Sequence, residues 1–233
     1  MTRFQDLAAT SLVAVALSAP ASAAVVLAFG GTNPASQTVH FNGLVNGAEV
    51  PGLAGALTLT LSAQSGNSWT FGWSLENRSG GAVTASRVSI FGFDIDSAFK
   101  VAGIAGDFHR AGSGKVPGFG SADLCFFAGG GGNCAGGGGT GVAMGASPFA
   151  GSFTITTPGI LDTLRFDSMF VRYQSISAPG IDGGSGIGVG FVAPPGGIVP
   201  EPATWALLIA GFGLVGFMLR RRRGAGPFAR VQG

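Results

Sequence analysis

The chain has 233 residues, 46% of them hydrophobic and only 10% charged, with 43 glycines and a formal net charge of +2. High hydrophobicity with low charge argues against a disordered chain, and the length allows one domain of ordinary size between the two ends. Six of the thirteen positive charges (Arg3, Arg220, Arg221, Arg222, Arg223 and Arg230) and two of the eleven negative ones (Asp6 and Glu201) lie outside residues 24–198. That leaves seven against nine, so the body is mildly acidic and has no electrostatic footprint for nucleic acid.

Residues 1–23 have the three parts of a secretory signal peptide. Arg3 and the amino terminus form a short positive region, diluted by Asp6, and Leu7–Leu17 is an apolar run too short to span a bilayer. Ala21-Ser22-Ala23 supplies the small-residue cleavage pattern, with Ala19-Pro20-Ala21 a weaker match. Cleavage after Ala23 would start the mature protein at Ala24. The alternative is a buried helix of the fold.

From Val25 the apolar period becomes two. Val25–Phe29 and Thr38–Leu44 are candidate first strands. Leu57, Leu59 and Leu61 then alternate with Thr58, Thr60 and Ser62, and Trp69, Phe71, Trp73 and Leu75 alternate with Thr70, Gly72, Ser74 and Glu76. The Gly66-Asn67 turn between them predicts a β-hairpin, with both tryptophans in the core. Val83–Ile95 is a further strand or two. Residues 103–145 lose the pattern to glycine, which has no side chain to bury and the most backbone entropy to lose; a long loop with at most short strands is expected there. Alternation returns at Phe149–Thr156, Leu164–Ile176 and Ile187–Val192. No stretch of the body repeats apolar residues at helical spacing. Short strands with Gly, Pro and Asn punctuation predict an all-β body over 24–192, an antiparallel β-sandwich or jelly roll. Residues 193–198 (APPGGI) form a linker.

Several residue patterns bear on function. Cys125 and Cys134 are the only cysteines, separated by a glycine-rich run that bends freely. In an exported protein an even count points to a disulfide; the rival, a pair of metal ligands, needs further Cys or His close by, and His40 and His109 are distant in sequence. Asp94 and Asp96 with Asp107 could offer oxygen ligands to calcium, although carboxylates at a strand end are commoner than metal sites. Gly136-x-Gly138-x-x-Gly141 matches a dinucleotide fingerprint only inside a polyglycine tract, without a βαβ unit. Asn77-Arg78-Ser79 is a glycosylation sequon. A Ser-His-Asp arrangement would have to use His40 or His109, no nucleophile elbow occurs in the body, and no spacing selects a carboxylate pair for glycoside hydrolysis. The expectation is a non-enzymatic protein without cofactor or metal.

The C-terminus carries the most specific pattern. Pro200 and Pro202 hold an extended segment around Glu201, because proline fixes φ and biases its predecessor away from helix. Trp205-Ala206 follow, and residues 203–219 are seventeen without a charge, the low end of what crosses a bilayer as a helix. Arg220, Arg221, Arg222 and Arg223 then form a cytoplasmic-side stop, and residues 224–233 are a cytoplasmic tail. Residues 199–223 closely resemble the PEP-CTERM sorting signal of Gram-negative bacteria, with Pro200, Glu201, Pro202, Trp205 and Ala206 matching residue for residue. The resemblance implies export, a temporary inner-membrane anchor, processing near the motif by an exosortase, and association with exopolysaccharide or biofilm matrix at the cell surface. The segment is also labelled after an ice-binding protein that carried it, but an ice face needs regular Thr-x-Thr rows, and Thr58-Leu59-Thr60 and Thr154-Ile155-Thr156 stand apart in the sequence. The body, with its CFFAGGGGNC loop and Phe170-Val171-Arg172-Tyr173-Gln174, resembles the cistern-family PEP-CTERM proteins. The expected function is therefore a matrix or surface protein, with a carbohydrate-binding module acting on exopolysaccharide as alternative and a secreted hydrolase behind it.

Overall fold

The computed structural model describes residues 25–129, 134–136, 139–192, 211–214 and 220. The chain divides into two units, Met1–Phe191 and Val192–Gly233. In the second, Gly211, Phe212, Gly213, Leu214 and Arg220 are helical and exposed. No helix among the described residues is long and apolar enough to cross a membrane. The signal peptide with Ala21 and Ala23, the linker, the sorting residues Pro200–Ala206, Arg221–Arg223, the tail and most of the expected span 203–219 lie outside the described residues.

The first unit is all-β. Its strands are β1 (Leu27–Phe29), β2 (Ser36–Val45), β3 (Ala48–Ser65), β4 (Ser68–Asn77), β5 (Ala85–Ile95), β6 (Lys100–Gly106), β7 (Arg110–Val116), β8 (Gly120–Phe127), β9 (Val142–Ala143), β10 (Phe149–Thr156), β11 (Leu164–Ala178) and β12 (Ile181–Phe191). They form one continuous antiparallel sheet in the order β6-β10-β4-β3-β2-β12-β11-β5-β8-β7, with β1 added beside β11 and β9 beside β5. A sandwich would have two separate sheets. Here one sheet rolls until its halves face each other, close to a barrel, with β6 and β7 as its two ends.

Aromatic side chains from the inner faces close the roll. The Phe153 ring of β10 lies tilted 4.6 Å from Phe126 of β8, Trp73 of β4 lies 5.1 Å from Phe91 of β5, and Phe71 lies 5.1 Å from Phe166 of β11. In β4, β10 and β11 these residues alternate with polar or glycine neighbours, which is why burial on one face specifies the register, whereas β5 and β8 are buried on both faces around Phe91 and Phe126. Trp69, Phe71, Trp73 and Leu75 are all buried, and each such side chain contributes roughly 1.5–3 kcal/mol.

Two turns set the first three long strands. Ser65 pairs with Ser68 across Gly66-Asn67, and Val45 pairs with Ala48 across Asn46-Gly47. Asn46 and Gly47 both have positive φ, 52° and 81°, the conformation that matches the twist of a two-residue hairpin.

Along β11 the inward phase jumps twice. Leu164 and Phe166 point inward, then Met169, Val171 and Tyr173, then Ile176. Each jump falls at a serine of positive φ, Ser168 (48°) and Ser175 (52°), where the pairing with β5 shifts register. These are β-bulges, each inserting one residue.

The expected loop over 103–145 is corrected by the structure. Within it β6 finishes, β7 and β8 form a hairpin and β9 pairs with β5. Glycine supplied no alternation to detect, yet its neighbours hold it in register: Gly112 opposes Cys125, and Gly106 opposes Gly151. Elsewhere glycine makes room. In β12, Gly188 and Gly190 face the core, where an added Cβ would come within 2.7 Å of Val171 and 2.6 Å of Val39. At these two positions the strand can lie under the side chains of its neighbours only because it brings none of its own inward.

Candidate functional site

Cys125 and Cys134 form a disulfide, with their Cα atoms 5.8 Å apart. Both sulfurs sit in a second apolar cluster on the outer face of the sheet, with Ile90, Phe127, Phe170 and Ile187. The β7–β8 hairpin folds onto this cluster, bringing Phe119 to 4.8 Å from Phe170. The glycine-rich loop is tied down beside it, where Arg87 Nη1 donates to the Gly139 carbonyl and Arg87 Nη2 to Ser175 Oγ (2.7 Å).

The carboxylates considered for calcium have other occupations. Asp94 Oδ1 accepts from the Asp123 amide at 2.9 Å, and Asp123 Oδ2 accepts from the Ile95 amide at 3.1 Å. Asp107 Oδ2 accepts from the Ala150 amide, and Asp96 Oδ1 from the Ser97 hydroxyl. Among the described residues no three His, Cys, Asp or Glu side chains gather as a metal site. The two histidines are also apart from each other: His40 lies on β2 near Phe191, and His109 is exposed between β6 and β7.

Asn77 of the sequon is buried. Its Nδ2 donates to the carbonyls of Ser86 and Val142, each at 3.1 Å, and its Oδ1 accepts from the Ser79 amide. The amide that glycosylation would modify is committed to the fold. The two Thr-x-Thr segments, apart in sequence, share the outer face with β4 between them. Their hydroxyls pair across strands: Thr58 with Thr38 at 2.8 Å, Thr60 with Ser36 at 2.9 Å and Thr154 with Thr70 at 3.1 Å. Such pairs stabilise neighbouring strands.

One concave feature of the outer face combines charge with apolar surface. It is a groove of about 360 Å³ walled by the Asn46-Gly47 turn, the Pro117-Gly118 tip of the β7–β8 hairpin, and β12 at Ser185, Ile187 and Val189. Arg172 of β11, between Ile90 and Ile187 in register, lines it and is the one charged residue there among the described residues. Its Nε is buried without a hydrogen-bond partner among the described residues, and burial lowers the guanidinium pKa from its ordinary value. The sequence contained Arg172 only as a letter within a motif. The signal available was an arginine amid Phe170, Val171 and Tyr173 with no acid at the cross-strand positions.

A family model described as the PEP-CTERM protein-sorting motif matches residues 199–223. No curated protein and no solved structure matches the chain. The chain thus carries a PEP-CTERM sorting signal, the mark of an exported protein that passes through a membrane-anchored intermediate and is processed by an exosortase.

Proposed function

We propose that the chain is a non-enzymatic protein of the cell exterior, retained in the exopolysaccharide matrix of a Gram-negative bacterium after its sorting signal is processed. The sorting motif at 199–223 carries the reading. The body supports it through the use made of its reactive groups: Asp94, Asp107 and Asp123 hold backbone amides, and both cysteines are consumed in one bond. The aromatic rings that could have formed a sugar-binding platform, Trp69 and Trp73, fill the interior of the roll.

The test is fractionation of a native culture into cells, matrix and cleared medium, followed by assay of the matrix-extracted protein on a panel of polysaccharides. The expected result is processed protein in the matrix fraction and no turnover. Protein confined to cleared medium, or hydrolysis of any member of the panel, would overturn it. A second reading, a carbohydrate-binding module, is favoured by the groove over Arg172.

A further inference from the structure

An arginine that reaches into a groove without a counter-ion is a costly arrangement for a fold to keep. Arg172 stands on a strand paired on both sides, with the buried Nε facing no acceptor among the described residues. Among the described residues no carboxylate lines the groove. Exposed Asn46 and Ser185 flank it, and neither side chain makes a hydrogen bond to the described residues. Val189, 45% exposed, and Leu44 supply apolar wall. The volume falls at the small end of ligand sites.

We propose that this groove binds the carboxylate of a uronic acid unit within a polysaccharide chain. The chemistry selects that ligand stepwise. The planar fork of an arginine matches a carboxylate through two parallel N–H···O bonds, which the two terminal nitrogens of Arg172 can offer to the groove while Nε stays buried. A single cation balances a monoanion, whereas a phosphate dianion would keep an uncompensated charge beside apolar side chains. The amide of Asn46 and the hydroxyl of Ser185 offer both donors and acceptors to ring hydroxyls. Leu44 and Val189 offer surface to the C–H face of a sugar ring. An extended peptide is disfavoured, because strand addition needs an unpaired edge, and β2 and β12, which form the wall, are each paired on both sides. The choice of ligand class rests on the carbohydrate-binding reading; retention in the matrix does not depend on it.

The experiment uses the full-length chain in detergent micelles with its disulfide intact, titrated with trigalacturonate, its methyl ester, and acetylglycine as a peptide-like carboxylate. Trigalacturonate is expected to bind at least about tenfold more tightly than the neutral ester, the usual scale of a charge-assisted contact. Arg172→Gln should lose that margin, Arg172→Lys should keep part of it, and Arg165→Gln, an exposed arginine elsewhere on β11, should leave it unchanged. Asn46→Gly removes only the amide at a turn position that glycine adopts freely, so it tests the groove without threatening the fold; several-fold weaker binding is expected. Equal binding of acid and ester, wild-type affinity in both Arg172→Gln and Asn46→Gly, or acetylglycine binding as tightly as trigalacturonate would each overturn the proposal. Failure of every ligand to bind would overturn it too, while the fractionation result would still decide the matrix reading separately.

Discussion

The side-chain nitrogen of Asn77 lies 3.1 Å from the backbone carbonyl oxygen of Val142, 65 residues further along the chain. The same nitrogen reaches the Ser86 carbonyl, so one buried amide joins the end of β4, the start of β5 and β9. β5 and β9 are paired with each other, but β4 is a neighbour of neither in the sheet order, and the contact is therefore a tie across the roll.

Asn77→Ala should destabilise the body by roughly 1–3 kcal/mol, because it leaves buried partners without a donor. Chemical denaturation at constant m-value would measure it. An unchanged midpoint would mean that water replaces the amide at no cost. Expression in a host that glycosylates sequons should leave Asn77 unmodified in the folded protein, read as an unshifted mass.

The disulfide closes a short loop, with its cysteines 9 positions apart in sequence. Replacing both Cys125 and Cys134 by serine should cost roughly 2–3 kcal/mol on the chain-entropy model. It should also raise hydrogen exchange around Gly139 and Arg87 before it affects β3 and β4, since the loop is anchored beside Arg87 while those strands draw on the aromatic interior. Uniform loosening of the whole sheet would show that the bond supports the roll itself.

The sorting segment makes a prediction in the native host. Changing Pro200, Glu201 and Pro202 together to alanine should leave unprocessed chain in the inner membrane, because the replaced segment can continue as helix into the apolar run and withdraw the extended substrate from its protease. Immunoblots of membrane and matrix fractions would show it. Release of the triple variant at the wild-type rate would contradict the role of the motif.

What the sequence disclosed follows from where information is stored. The β3–β4 hairpin was legible because Leu57, Leu59, Trp69, Phe71 and Trp73 alternate with polar residues and Gly66-Asn67 marks the turn. The Asn46-Gly47 turn carried the same kind of dipeptide, but its flanks, Leu44-Val45 and Ala48-Glu49-Val50-Pro51, lack the clean alternation that marks a hairpin. Strands β6 to β8 were illegible because a strand built with Gly103, Gly106, Gly112 and Gly114 has no side-chain period; partners distant in sequence impose its conformation. The second phase of β11 was obscured by the bulges at Ser168 and Ser175, which move apolar residues off the period of two. The groove at Arg172 assembles turn 46–47, hairpin tip 117–118, β11 and β12, segments brought together only by the roll. The C-terminal signal, by contrast, is read by its partner as a linear string, so its specificity is local and a reader of the string recovers it.

The bare inward face of β12 makes the protein's tolerance to change one-sided. At Gly188 and Gly190 there is nothing to delete; every possible replacement adds atoms to space already occupied by Val171, Tyr173, Val39 and Met169. Variation can enter this part of the molecule only by exchange, a smaller residue on a neighbouring strand admitting a larger one on β12. The history of the strand would accordingly be written in paired substitutions, and its own letters would look frozen to anyone who compared them one at a time.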